Sequence, residues 1–179
     1  MAMAAAQHPF DQLLELAGRS GQGSAAQAAS PTSSGALGLR VGAHALLFAL
    51  AETGEIVPVP RLTRVPGVQP WLLGIVSLRG RIVPVIDLGD FLEGRHTSIG
   101  PRTRIVIASG GDWSYGLVVD EIIGMRPIGP ANRLPELPAG TAPTLKPYAR
   151  AAYAIDNQVW SEFDIGRLLA DPRFMAAAL

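Results

Sequence analysis

The sequence predicts a mainly β protein of short strands, and three observations carry that prediction. Gly and Pro number 20 and 15 among 179 residues, above their ordinary combined share of roughly 12%, so many turns are expected and a helical bundle is not. The apolar runs are short, rich in Val and Ile, and separated by turn residues. The clearest case is Gly74-Ile75-Val76-Ser77-Leu78-Arg79-Gly80-Arg81-Ile82-Val83-Pro84-Val85-Ile86-Asp87-Leu88, which reads as two strands joined at a polar Arg-Gly-Arg island. Finally, Ile86-Asp87-Leu88-Gly89-Asp90-Phe91-Leu92 is echoed by Phe163-Asp164-Ile165-Gly166-Arg167-Leu168-Leu169. One strand-to-helix exit used twice suggests two related subdomains.

The elements follow in order. Pro9 to Arg19 reads as a short amphipathic helix, with Phe10, Leu13, Leu14, Leu16 and Ala17 near one stripe and Asp11 near its start. Ser20 to Gly38 is mostly Ser, Gly, Ala, Gln and Thr, with little apolar surface to bury, and reads as a flexible linker. Leu39 to Val41 and Ala45 to Leu50 form a first hairpin around Gly42-Ala43-His44. Glu55 to Val59 is a short strand or a helical turn, and Arg61 to Trp71 is proline-punctuated and irregular. After the Arg79-Gly80 hairpin, Asp87 caps a helical turn. Arg104 to Ala108 and Ser114 to Asp120 pair across Gly110-Gly111-Asp112, and Glu121 to Pro127 continues the sheet beyond a bend. Asn132 to Lys146 is a surface loop. Ala151 to Ile155 and Gln158 to Phe163 form a last hairpin around Asp156-Asn157, and Asp164 caps the helix Ile165 to Ala170. The expected organisation is an N-terminal extension over 1–19, a linker over 20–37, the folded domain over 38–171 and a tail over 172–179.

Composition narrows the function classes. Lys plus Arg and Asp plus Glu are both 15, so no global field draws the chain to nucleic acid or an acidic membrane. Locally, Arg61, Arg64, Arg79, Arg81, Arg95, Arg102 and Arg104 outweigh Asp87, Asp90 and Glu93, which allows a basic face. There is no cysteine, which excludes disulfides, zinc thiolates and cysteine nucleophiles. The longest apolar run, Ala45 to Ala51, falls far short of the ~20 residues that cross a bilayer. No secretory signal pattern opens the sequence, and the default location is cytoplasmic.

A search for chemistry finds little. His8, His44 and His96 are widely spaced and fit no metal-ligand motif, so solvated or turn roles are expected. Ser77 sits in an apolar strand without a base and reads as an interior hydroxyl. Asp120 and Glu121 are adjacent, and neighbours on a strand point to opposite faces, so they are not expected to share a substrate. Trp71, Trp113 and Trp160 read as core or rim. The expectation is a recognition protein rather than an enzyme, with no catalytic residue, cofactor or metal.

The segment Gly74 to Gly80 followed by Pro84-Val85-Ile86-Asp87-Leu88, together with Gly-Leu-Val-Val-Asp at Gly116 to Asp120, resembles the CheW family of chemotaxis coupling proteins. The departure is Ser77 where the family usually has Asn; a hydroxyl offers fewer hydrogen bonds than an amide. The N-terminal His8-Pro-Phe-Asp-Gln-Leu-Leu is similar to the PilI subgroup, the CheW-like proteins of the chemotaxis-type system that controls type IV pili and twitching motility.

The resemblance implies a CheW-like fold of two small five-stranded SH3-like β-barrel subdomains with short helices. It implies a non-enzymatic adaptor between the cytoplasmic tip of a methyl-accepting chemoreceptor and the regulatory domain of a CheA-type histidine kinase. The location follows: cytoplasmic, held at receptor arrays through protein partners, without membrane insertion.

The resemblance also implies that Arg79 lies at the centre of signalling, paired with a glutamate that matches Glu55. Leu50, Glu55, Ile56 and Val57 match the receptor-contact region, and Gly74 lies near the kinase-facing turn. Each has a structural alternative: Arg79 caps its own turn, a buried Arg79–Glu55 pair does both jobs, and the apolar residues belong to the core. Gly80 is expected at positive φ, Pro84 at an edge or bulge, and Asp87 and Asp164 at helix N-caps, with Gly116 and Asp120 as motif residues. The helix Phe10 to Ala17 packs on its own domain or on a partner. The alternatives in function are a flagellar coupling protein, a nucleic-acid-binding small barrel using the arginines from Arg61 to Arg104, and an enzyme whose site assembles from distant residues.

Overall fold

The computed structural model describes residues 34–110 and 113–177. The expected helix Pro9 to Arg19, the linker up to residue 33 and the Gly111-Asp112 part of one turn lie outside the described residues. Ten strands form two five-stranded sheets. The first has the order β8-β1-β2-β10-β9, with β1 Ser34–Val41, β2 His44–Ala49, β8 Glu121–Ile128, β9 Ala149–Ile155 and β10 Gln158–Phe163. The second has the order β3-β6-β7-β5-β4, with β3 Thr53–Pro58, β4 Leu72–Leu78, β5 Arg81–Asp87, β6 Arg104–Gly110 and β7 Trp113–Val119. Three short helices, α1 Leu88–Glu93, α2 Ile165–Leu169 and α3 Pro172–Met175, complete the fold.

The sheets exchange strands. The hairpin β1-β2 belongs to the first sheet, but the chain then passes through the 3-10 turn Leu50–Glu52 and enters the second sheet as β3, against β6. The hairpin β6-β7 does the reverse, and β8 returns to pair with β1. Glu121 to Pro127 therefore does not continue the sheet of β7, as the sequence reading has it. The bend at Asp120 hands the chain to the other sheet.

Strands β2 and β7 are buried over most of their length and read as near-continuous apolar runs, whereas β3, β4 and β8 keep much of their surface in solvent. In β2, Leu46 and Phe48 face a core shared by the two sheets, with Ile86, Val106, Leu117 and Val119 from the second. Ala45 and Leu47 face an inner cluster with Ala36, Ile128, Tyr153 and Trp160. Val85, Ile105 and Val118 form the matching inner cluster of the second sheet, joined by Val57, Leu73, Val76 and Ile107. All five strands of each sheet contribute to one inner cluster, so each sheet is curled like a small barrel.

The repeated exit is real in three dimensions. β5 runs parallel to β7 with Ile86 opposite Leu117, and β10 runs parallel to β2 with Phe163 opposite Phe48. Asp87 then accepts a hydrogen bond from Asp90 N, and Asp164 from Arg167 N, each as an N-cap.

Two boundaries differ from the sequence reading. Residues 34–37, assigned to the linker, belong to β1, with Ala36 and Leu37 buried. Residues 172–175, assigned to the tail, form α3, whose Phe174 is buried against Trp71, Phe91 and Tyr115.

Candidate functional site

The Arg79 turn closes the hairpin β4-β5, with Leu78 paired to Arg81. Both turn residues have positive φ, Arg79 at 49° and Gly80 at 78°, as a type I′ turn requires. Glycine adopts this conformation freely, whereas the arginine's side chain makes it cost about 1 kcal/mol. That Arg79 shares the left-handed conformation is not legible from an Arg-Gly pair alone.

Arg79 Nε lies 3.2 Å from Glu55 Oε2 on β3. β3 and β4 are opposite edges of their sheet, so this pair spans the seam closed by the sheet's curl. The expected pairing is present, but it is not buried: the two side chains are 82% and 42% exposed. An exposed pair contributes ~0–1 kcal/mol rather than the ~3–5 kcal/mol at stake in a buried one. Arg79 is therefore available to a partner. A cleft of about 450 Å³ lies beside it, lined by Glu55, Leu78, Arg81 and Ile107 among others.

The neighbouring positions separate by face. Leu50 and Ile56 are exposed at 46% and 39%, whereas Val57 packs on the inner cluster of Val85, Ile105 and Val118. Gly74 is buried. Thr63 bridges Ile75 by two backbone hydrogen bonds of 2.9 Å, and a Cβ on Gly74 would lie 2.4 Å from the Thr63 carbonyl oxygen. Gly74 thus has a packing reason to be glycine, independent of any partner.

Pro84 lies on β5, an inner strand and not an edge. Pairing with β7 begins only at Val85, so the missing amide sits just before that ladder. The β4 register also shifts between Leu72 and Gly74. A Cβ on Gly116 would approach Ile105 Cγ2 to 2.7 Å.

The remaining polar motif residues are fasteners. Asp120 Oδ2 accepts from Gly42 N at 2.6 Å and pairs with Arg95 at 2.9 Å, which ties the β7-β8 bend to the β1-β2 turn. Asp120 and Glu121 line one cleft together; the opposite-face rule fails because Asp120 occupies a bend. Asp87 accepts from Thr97 N and Thr97 Oγ1, both at 2.7 Å. Asp90 pairs with His96 at 2.9 Å, and burial pushes its carboxyl above the ordinary range against the pull of His96. Asp87, Asp90 and His96 could together hold a metal ion by the spacing of their donor atoms, but both Asp87 oxygens already accept hydrogen bonds.

Ser77 is exposed, not interior; strand alternation turns Val76 inward and Ser77 out. The tryptophans divide, with Trp160 buried and Trp113 exposed at 66%.

Met125 and Ile82 are among the exposed apolar residues that the sequence reading does not single out, and Trp113, read there as core or rim, is exposed with them. Met125 is 53% exposed and flanks Gly35 together with Leu50. Ile82 and Trp113 are 67% and 66% exposed. Alternation along strands identifies outward positions, but not which of them lack a cover.

The CheW-like domain family matches residues 35–173. The chain is 30% identical to protein PilI of Pseudomonas aeruginosa over 99% of this chain and 100% of that protein. It is 35% identical to protein FrzA of Myxococcus xanthus over 49% of this chain and 55% of that protein. The chemotaxis protein CheW of Bacillus subtilis is 46% identical over 33% of this chain and 38% of its own length. The crystal structure of the scaffolding protein TtCheW from Thermoanaerobacter tengcongensis superimposes with a TM-score of 0.67 at 22% identity, covering 83% of this chain and 96% of that one. The strand-exchanged pair of five-stranded sheets, the Arg79 turn and these matches lead to one conclusion: the chain belongs to the CheW-like family of chemosensory coupling and scaffold proteins.

Proposed function

We propose that this chain links the cytoplasmic tip of a methyl-accepting chemoreceptor to the regulatory domain of a CheA-type histidine kinase, in a system that controls type IV pili. The observation that carries the reading is the exposed Arg79–Glu55 pair on a CheW-like domain, with exposed Leu50 and Ile56 close to Glu55 in the chain. These are a charged and an apolar contact on one region, suited to an amphipathic helical tip. Similarity to PilI over the full length of both chains supports the pilus system. The receptor contact uses Leu50, Glu55, Ile56 and Arg79, while Val57 supports them from the core. The kinase contact lies on the hairpin that contains Gly74, where Ile82 offers an exposed apolar side chain.

The chain acts without catalysis or cofactor, binds no nucleic acid, and works in the cytoplasm at receptor arrays through its partners. Among the described residues, no helix is long and apolar enough to cross a membrane.

The test is co-purification of the full chain with its host's receptors and CheA-type kinases. Recovery of a receptor together with a pilus-associated kinase is the expected result. A flagellar kinase recovered instead would reassign the pathway, and recovery of neither partner would overturn the coupling reading. A salt titration against single-stranded DNA is expected to show no binding.

A further inference from the structure

A second charged centre lies away from the Arg79 turn. Arg150, on β9, reaches three carboxylates, one in the Leu50–Glu52 turn and two at the end of β10. Its Nη2 lies 3.1 Å from Glu52 Oε1 and 3.0 Å from Asp164 Oδ2, and its Nη1 lies 3.5 Å from Glu162 Oε1. Asp164 also caps α2 through Arg167 N at 3.0 Å, and Tyr153 donates its hydroxyl to Glu162 at 3.0 Å. Burial alone would lower the Arg150 pKa, but its hydrogen bonds to Glu52 and Asp164 outweigh that and raise it. A planar fork of donors suits several carboxylates at once, where an ammonium would serve as a single point charge.

Glu52 is the informative partner. It lies in the 3-10 turn Leu50–Glu52, where the chain leaves the first sheet for the second. That turn has no side-chain N-cap and no buried residue. Besides the Thr53 hydroxyl, which donates to the Ala49 carbonyl at 2.9 Å, the bond to Arg150 is its side-chain anchor among the described residues. The turn carries Leu50 and leads directly into Glu55 and Ile56.

We propose that Arg150 is a positioning residue for receptor recognition: it holds the Leu50–Glu52 turn against the first sheet, so that Leu50, Glu55 and Ile56 are presented as one surface. The inference rests on the coupling reading for its partner and on the Arg150–Glu52 geometry for its mechanism.

The test uses the full chain and four variants: Glu52→Gln, Arg150→Met, their double variant, and Arg167→Met as a reference that touches Asp164 but not Glu52. Affinities are measured for a soluble receptor tip fragment and for the kinase regulatory domain, with amide hydrogen exchange over residues 50–56. Glu52→Gln and Arg150→Met are each expected to weaken the receptor tip about tenfold, and the double variant no more than the weaker-binding single one, because Arg150→Met already removes the Glu52 interaction. Kinase-domain affinity stays within about twofold, and exchange over 50–56 quickens in both variants but not in Arg167→Met. Unchanged receptor affinity in Glu52→Gln, or additive losses in the double variant, overturns the proposal. A wild-type chain that binds no receptor tip overturns the coupling reading instead. Exchange then decides the mechanism alone, and unaltered exchange in Glu52→Gln overturns it.

Discussion

The unit β4-β5-α1 and the unit β9-β10-α2 share one backbone plan but use opposite charges. Each hairpin closes on two residues of positive φ, Arg79-Gly80 in one and Asp156-Asn157 in the other. Each inner strand runs briefly parallel to a neighbour and ends in an aspartate cap. Arg79 pairs with Glu55 on the crossing strand β3, whereas Asp156 faces Arg126 on the crossing strand β8 at 3.8 Å. The caps differ as well: Asp87 is satisfied by the neutral Thr97 and Asp164 by the cations Arg150 and Arg167. Turn and cap geometry thus tolerates either sign of charge. The backbone features hold the fold, and the charges on them are free to differ with the surface each unit presents.

Gly74, opposite Val85, corresponds to Ala151, opposite Glu162. Gly74→Ala drives a Cβ onto the Thr63 carbonyl at a φ of 147° and is expected to cost about 3 kcal/mol, measured by urea denaturation. Ala151→Gly is expected to cost under about 1 kcal/mol, because it only loosens the strand. Equal losses at the two sites would break the comparison.

Asp87→Ala removes a cap and leaves buried Thr97 groups unpaired, at an expected cost of about 3 kcal/mol. Asp164→Ala releases partners that reach solvent, and about 1–2 kcal/mol is expected. The two aspartates also sharpen the comparison through pH. Burial would raise the Asp164 pKa, but the Arg167 amide and Arg150 overcome it and hold it below 3.8. A depressed folded pKa gives stability that is fully present above the unfolded value and lost as pH falls through the folded one. The stability gap between wild type and Asp164→Asn is therefore expected to be constant near neutrality and to close in acid, as followed by thermal melts.

Gly80→Ala places a Cβ at a φ of 78° and is expected to cost about 1 kcal/mol. Arg79→Ala, at an exposed pair, is expected to change stability by less than about 1 kcal/mol.

The strands, both aspartate caps and the Arg79 turn are legible in the sequence because each depends on local chemistry: β-branched runs, a capping carboxylate and a glycine. The strand exchange is not. Period-2 apolarity identifies a buried face without saying which sheet buries it, so β8 reads as an extension of β7. Residues 34–38 look like linker because all but Leu37 are small, yet Gly38 is small for packing. A Cβ on Gly38 would lie 3.0 Å from the Gly124 carbonyl oxygen and 3.1 Å from Trp160. The Arg79–Glu55 pair follows from resemblance, but its exposure is set by the curl of the sheet. Arg150 escapes notice altogether, since Glu52 lies 98 residues away in sequence.

The most direct test of the coupling account is receptor-stimulated autophosphorylation of the kinase, reconstituted with the Arg79→Ala chain. The account predicts that stimulation is lost while the chain keeps its fold and its melting temperature, because Arg79 serves the surface and not the core. Full stimulation by a folded Arg79→Ala chain would contradict it.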